Sequence, residues 1–357
     1  MRYLITGGAG FIGGALIRRL ISNERNIVFN LDKLGYASDL ESIDNLNKKN
    51  CFNNYTFLNV DLVDKNNLFD AIEKAKPDYI MHLAAETHVD RSIDKPFQFL
   101  NSNIIGTFNL LEVSKEFWSN LEPKRKKNFR FHHISTDEVF GSLCEKGSFN
   151  ENTPYDPRSP YSASKASSDH LVRAWFHTYN FPTLITNCSN NFGPWQFPEK
   201  LIPLVISKAF EGKKIPIYGD GLNVRDWLFV EDHIEALLLV IQKGKIGQSY
   251  CIGGYGERTN KYIVELICSI MDKKKSESSS HLELIEYVSD RPGHDKRYSI
   301  DSRKINKELG WKSNYKLEKS IEETVDWYLK NYDWVKRIMA KSKYGGERIG
   351  QINQLFS

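Results

Sequence analysis

Short apolar runs alternate with amphipathic stretches through the first half of the chain, the rhythm of strands followed by helices. Arg2 to Thr6 reads as a strand, and Phe11, Ile12, Leu16, Ile17, Leu20 and Ile21 then recur at helical spacing. Ile27 to Leu31 predicts a second strand ending in Asp32, and Tyr55 to Val60 a third ending at Asp61. A helix is expected over Lys65 to Lys74, a strand over Tyr79 to Leu83, and one long helix over Pro96 to Trp118. Phe131 to Ile134, Leu184 to Cys188 and Ser249 to Ile252 predict further strands; Tyr161 to Tyr179 and Val230 to Ile241 predict helices. Runs this apolar, without polar alternation, belong to strands buried on both faces, as in a parallel sheet. The expected fold is α/β, a Rossmann-type doubly wound parallel sheet.

After Cys188 the texture changes. Ser189 to Trp195 is rich in turn residues, and Gly, Pro and aromatics recur through Asp226-Trp227. They predict a smaller, partly discontinuous C-terminal lobe that would take a substrate. The sheet domain is expected over residues 1–190 plus about 228–253, the lobe over about 191–227 and 254–334, and an extension over 335–357. Ser276 to Ser280 reads as a flexible connection.

The chain has 357 residues, 40% of them apolar, enough for a sizeable core, and a net charge of +4. That charge is too small to imply a nucleic-acid partner. The basic runs Lys124 to Lys127 and Lys273 to Lys275 fall between elements and read as solvated loops. Cys51, Cys144, Cys188, Cys251 and Cys268 make no metal or disulfide spacing. No metal is expected, and free thiols suit a reducing cytosol. No signal-like segment precedes the first strand, and no apolar run is long enough to span a bilayer. The expectation is a cytoplasmic protein with no membrane partner.

Two stretches carry candidate chemistry. Gly7-Gly8-Ala9-Gly10-Phe11-Ile12-Gly13 joins the first strand to its helix. Glycines there permit a tight turn and let the backbone approach a pyrophosphate at the helix N-terminus. Asp32 ends the next strand, about 20 residues on, where a carboxylate accepts a ribose 2′-hydroxyl. It would repel a 2′-phosphate, so NAD is favoured over NADP, slightly less so for Lys33 beside it. Ala84-Ala85-Glu86-Thr87-His88 offers small residues at a strand end where a cofactor can pass; His88 and Arg91 face a substrate or pack a loop. The second stretch breaks from the Phe131 strand into Ser135-Thr136-Asp137-Glu138 and continues to Ser159-Pro160-Tyr161 and Lys165. Ser159 followed by Pro160 is a helix start, which puts Tyr161 and Lys165 on one face. An ammonium beside a phenol favours the phenolate. The Tyr-x-x-x-Lys spacing also occurs at Tyr315/Lys319 and Tyr332/Lys336, so position, not spacing, singles out the first copy.

These motifs resemble those of the extended short-chain dehydrogenases/reductases and, more narrowly, of the dTDP-glucose 4,6-dehydratase family, from Met1 to about Trp334. The strings that carry the likeness are His82 to Ser92, Tyr161 to Trp175, Ser189 to Pro203 and Asp290 to Asp295. Gly35, Ser38, Asp39, Phe140, Phe192 and Trp195 depart from the family pattern and leave the catalytic set intact. The resemblance implies catalysis by Thr136, Asp137, Glu138, Tyr161 and Lys165. Around NAD it implies Gly7, Gly10, Phe11, Ile12, Gly13, Asp32, Lys33, Leu34, Asp61, Leu62, Leu83, Ala84, Ala85, Ser102, Tyr161, Lys165 and Asn191. Around a sugar nucleotide, dTDP-glucose, it implies Thr87, His88, Thr136, Asn190, Lys200, Leu201, Pro216, Ile217, Tyr218, Arg225, Asn260, Arg291 and His294. It also implies a homodimer through the helices near Pro96 to Trp118 and Tyr161 to Tyr179, whose apolar faces equally suit an intramolecular core. A 4-epimerase, a decarboxylase, a dehydratase for another nucleotide, and a non-catalytic NAD-binding regulator remain the competing readings.

Overall fold

Parallel strands organise the molecule, a computed structural model that describes residues 1–50, 53–274 and 279–346. Cys51 and most of the connection at Ser276 to Ser280 lie outside the described residues. The strands in chain order are β1 Arg2–Thr6, β2 Ile27–Asp32, β3 Tyr55–Asn59, β4 Tyr79–His82, β5 Arg130–Thr136, β6 Thr183–Cys188, β7 Asn190–Phe192, β8 Ile215–Tyr218, β9 Val224–Phe229, β10 Ser249–Ile252, β11 Glu257–Thr259 and β12 Ile285–Val288. Seven of them form one parallel sheet in the order β10-β6-β5-β4-β1-β2-β3. The chain steps outward from β1 to β3 and then crosses back to β4, so the order reverses between β1 and β4. A crevice opens outside the strand carboxyl ends at such a reversal.

Both faces of the sheet are covered, as its apolar strands require. On one side Leu16, Ile17, Leu20, Leu237 and Val240 pack on Tyr3, Ile5 and Val28. On the other Leu68, Ile72, Leu110, Phe117 and Trp175 pack on Leu4, Phe29 and Phe131. Burial of each such side chain contributes about 1.5–3 kcal/mol. A separate cluster joins Ile202, Val205 and Ile206 to Ile263, Ile267, Ile321, Val325 and Tyr328. Around it stand a small β11-β9-β7 sheet and the β8–β12 pair. The Tyr332–Ser342 helix docks on the same cluster through Trp334, Val335 and Ile338.

The long helix expected over Pro96 to Trp118 follows that path but is not uniform. It runs α-helical at Pro96–Phe99, widens to a π-helix at Leu100–Ile105, and resumes at Gly106–Ser119. The Asn103 carbonyl accepts from the hydroxyls of Thr107 (2.5 Å) and Ser168 (2.7 Å). Side chains thus take an acceptor that helical amides normally use, and π-turns of this kind cluster at functional sites. The Pro160–Tyr179 helix begins as its sequence indicates, with Pro160 in the first turn and a reciprocal cap between Ser159 and Ser162. Among the described residues, no helix is long and apolar enough to cross a membrane.

Candidate active site at the carboxyl ends of the sheet

The glycine loop leaves β1 at Gly7, whose φ of +74° strains any residue with a Cβ. A Cβ on Gly7 would stand 2.6 Å from the Ala84 amide nitrogen, and one on Gly13 2.2 Å from the Gly7 carbonyl oxygen. The backbone is therefore bare where β1 and β4 end, and the Phe11–Ile21 helix points its N-terminus into that space. Asp32 closes β2, accepting from the Ala9 amide (3.0 Å), the Leu34 amide (2.8 Å) and the Ser38 hydroxyl (3.2 Å). Burial raises its carboxyl above the usual range, against those three bonds and Lys33. The Lys33 ammonium donates to Ser102 Oγ at 3.1 Å and stands 3.5 Å from Glu86 and 3.9 Å from Asp61.

One cleft of ≈ 330 Å³ runs from this loop to the end of β5. Gly7, Gly10, Phe11, Ile12, Gly13, Asp32, Lys33, Asp61, Leu62, Leu83, Ala84, Ala85, Ser102, Tyr161, Lys165 and Asn191 all line it. Leu34 does not; its side chain is exposed, and its amide serves Asp32 instead. A dinucleotide fits such a cradle: bare backbone at a helix N-terminus suits a pyrophosphate, and the buried carboxylate suits a ribose hydroxyl.

At the other end of the cleft β5 delivers Thr136, and the chain turns at once into a short 3-10 helix, Asp137–Phe140. Thr136 Oγ1 accepts from the Glu138 amide at 3.2 Å and donates to Asp137 Oδ1 at 3.3 Å. The two adjacent carboxyls meet opposite surroundings. Burial, then Glu138 and Asp226, pushes Asp137 well above the carboxylate range. Burial also raises Glu138, but Arg291, Lys200 and Arg225 pull it back. Both carboxyls are raised, Asp137 the further, a difference that would suit an acid and a base side by side.

The Tyr161 phenol is raised, not lowered: burial first, then Glu138 and Cys188, hold the proton on, and Thr136 works weakly the other way. Burial outweighs the expected depression by Lys165, whose ammonium donates to the Ile134 carbonyl at 2.9 Å, and the Glu138 carboxylate also opposes a phenolate. A further positive charge is needed to free that proton.

The residues expected at a sugar nucleotide divide into two groups. Thr87, Thr136, Asn190 and Lys200 line the cleft, Lys200 donating to the Thr87 carbonyl at 2.9 Å. His88, Leu201, Pro216, Ile217, Tyr218, Arg225, Asn260, Arg291 and His294 do not line it. Ile217 is buried in the second core, and Asn260 starts the Asn260–Lys274 helix. His88 is held neutral, driven well down by burial and then by Lys200, Arg91 and Arg291. Arg291 pairs with Asp90 at 2.7 Å, and the Tyr218 hydroxyl donates to the same carboxylate at 3.2 Å. Arg225 donates to the Asp295 carbonyl at 2.9 Å and lies 4.4 Å over the Tyr298 ring. His294 pairs with Asp290 at 2.6 Å. Arg225 and Arg291 nevertheless act on Glu138 from outside the cleft.

Sequence reasoning missed several groups here. Asn103 bridges the Glu86 backbone and Ser164, accepting at 2.8 Å and donating at 3.1 and 2.8 Å. Its local sequence carries little signal, since Asn103 follows the polar Asn101 and Ser102 in the same stretch. Glu199 is a buried carboxylate in the cleft that accepts from Tyr36 (2.6 Å) and Arg91 (3.0 Å). Nothing in its local sequence marks it.

A bare-glycine cradle feeding a Thr-Tyr-Lys corner on a doubly wound parallel sheet defines an NAD-type short-chain dehydrogenase/reductase. The family model for GDP-mannose 4,6 dehydratase matches residues 4–324. The dTDP-glucose 4,6-dehydratase of Salmonella typhimurium is 52% identical over 347 residues, 95% of either chain. The solved dTDP-glucose 4,6-dehydratase of Bacillus anthracis, in complex with NAD, superimposes with a TM-score of 0.83 at 40% identity, over 95% of this chain and 99% of that one. That of Streptomyces venezuelae gives 0.85 at 38% identity, over 95% and 100%. The chain belongs to the dTDP-glucose 4,6-dehydratase family.

Proposed function

We propose that this chain converts dTDP-glucose to dTDP-4-keto-6-deoxyglucose and water, using NAD. The observation that carries the reading is the adjacent pair Asp137 and Glu138, one carboxyl kept protonated and one compensated by three cations, beside Tyr161. A 4-epimerase needs the Tyr-Lys pair and no such acid and base. NAD, when bound in the glycine cradle, would supply the acceptor for the C4 hydride, the reduced form that returns it to C6, and the positive charge of its oxidised ring. Tyr161 removes the O4 proton while Thr136 holds O4 by a hydrogen bond. The resulting ketone acidifies C5, and Glu138 takes the C5 proton. Asp137 gives its proton to O6, which leaves as water, and Glu138 returns a proton to C5. Lys165 sustains positive charge under the reacting corner. In this reading residues 1–190 and about 228–253 hold NAD, while Lys200, Arg225 and Arg291, of about 191–227 and 254–334, neutralise the nucleotide diphosphate through charge-assisted bonds.

The working form is a homodimer in the cytoplasm. Phe97 is 74% exposed, and Leu100, Ile105, Phe108 and Tyr179 are exposed with it on the helices around Pro96–Ser119 and Pro160–Tyr179. Light scattering of the purified chain should give twice the mass of one chain, and a Phe97→Asp variant should halve it. For the reaction, dTDP-, CDP-, UDP- and GDP-hexoses are incubated in deuterated buffer. The expected result is alkali absorbance of a 4-keto product from dTDP-glucose, with deuterium at C5. An epimerised sugar without C5 label, or no product from any nucleotide, would sink the proposal.

A further inference from the structure

Behind the reacting corner lies a buried column of charge that the reaction as written does not use. The inner face of the Pro160–Tyr179 helix presents Tyr161, Lys165, Asp169 and Arg173, each one turn beyond the last. Asp169 is fully buried. Its Oδ2 accepts from the Tyr155 hydroxyl at 2.7 Å and from Asn187 Nδ2 at 3.2 Å, and His133 Nε2 stands 3.1 Å from its Oδ1. Arg173 reaches the same network by donating to the Tyr155 hydroxyl at 3.0 Å. The Asn187 amide group has a second partner, the Thr136 backbone carbonyl, at 3.1 Å. One carboxylate is therefore joined to Thr136 by a single intervening amide and shares a helix face with Lys165.

We infer that Asp169 is a positioning residue for the reaction, its carboxylate holding Lys165 as an ammonium and, through Asn187, fixing Thr136 where it meets O4. This rests on the reaction proposed above. A buried lysine tends to shed its proton, and burial does lower Lys165; Asp169 is the foremost group raising it again, followed by Cys188. Burial works against the Asp169 carboxylate too, yet His133, Lys165 and Tyr155 keep it below its usual range. The titratable groups facing Lys165 are His82 on β4, His133 on β5, Cys188 on β6, and Asp169 and Tyr161 on its own helix. Both imidazoles are driven down, first by burial, His133 to about 4 and His82 well below its usual value. Neither supplies positive charge at neutral pH. The carboxylate facing Lys165 is thus the only charged partner among these groups, and no other one of them can replace it.

The test compares Asp169→Asn, Asp169→Glu and Asn187→Ser with the wild-type chain, each checked for folding by near-ultraviolet circular dichroism and for NAD affinity by titration. For Asp169→Asn, kcat should fall roughly tenfold or more at nearly unchanged KM, the cost of a misplaced reacting group. Losing the carboxylate lowers Lys165 further, so the alkaline limb of kcat should move to lower pH by about one unit. Asp169→Glu keeps the charge and should keep the limb at its wild-type position. Asn187→Ser cuts the link to Thr136 and one of the bonds to Asp169 but leaves the Asp169 carboxylate in place, so kcat should fall without a shift of the limb. A folded Asp169→Asn variant with wild-type kcat and limb overturns the inference. Should that variant fail to fold, wild-type kcat in Asn187→Ser does so. A wild-type chain that forms no 4-keto product refutes the proposed reaction instead, a different outcome from equal activity in wild type and variants.

Discussion

The two ends of the cleft are built from different materials. Around the glycine loop the protein offers mostly backbone: bare Cα positions at Gly7 and Gly13, amides at a helix N-terminus, one carboxylate at Asp32. Around Glu138 it offers side-chain charge gathered from remote segments, Lys200, Arg225 and Arg291. A backbone cradle can be blocked by one added methyl group but has little charge to lose. A cationic wall tolerates changes of shape and fails when a charge is removed. The first suits a cofactor that stays through a cycle. The second suits a ligand that must leave at the end of each one.

The corner where both ends meet should be the most sensitive point. Glu138→Gln should cost roughly 10²–10⁴ in turnover, as loss of a general base does, while a trace of reduced cofactor still appears. Solvent deuterium at C5, read by mass spectrometry, should vanish; full exchange would exclude Glu138 as the base. Gly13→Ala comes next. Its Cβ would lie 2.2 Å from the Gly7 carbonyl oxygen, a backbone clash worth about 1–3 kcal/mol. Calorimetric titration should show weaker NAD binding by that amount, with sugar-nucleotide affinity less affected. Equal losses for both ligands would dissolve the contrast between the two ends.

Arg291→Gln tests the cationic end through pH. Glu138 must be ionised to act, so activity is lost as pH falls through its folded pKa. Burial raises that pKa and Arg291 is the foremost group lowering it, so the variant should shift the acid limb of kcat to higher pH. An unmoved limb would mean that Arg291 only binds substrate. The smallest effect belongs to Lys33→Ala. Its ion pairs, 3.5 and 3.9 Å long, are solvent-accessible, and such pairs contribute about 0–1 kcal/mol. NAD affinity should fall less than about fivefold; a larger drop would give the cradle a charge requirement of its own.

This contrast also explains what was legible in the chain. Gly7 to Gly13, Asp32, Thr136 to Glu138 and Tyr161 to Lys165 are local strings whose spacing reports a turn, a strand end or a helix face. The alternation of apolar runs gave away the sheet for the same reason. Arg225 and Arg291 were named only through resemblance, since an isolated arginine carries no local sign of what it will face. Asp169, Asn187 and Glu199 escaped notice because their roles arise from contacts across β5, β6 and the second core. The raised phenol of Tyr161 was unreadable too: four-residue spacing places Lys165 nearby but does not disclose the burial and the Glu138 carboxylate that keep the proton on.

The last described helix reaches back to the loop after β2. Trp334 Nε1 donates to Asp39 at 2.7 Å, Arg337 pairs with Glu41 at 2.6 Å, and Lys341 donates to the Ser38 carbonyl at 3.2 Å. Ser38 is also the residue whose hydroxyl serves Asp32. A segment made early in synthesis thus waits for partners made about 300 residues later, so a nascent chain leaving the ribosome carries an incomplete corner around Asp32 until the Tyr332–Ser342 helix has emerged.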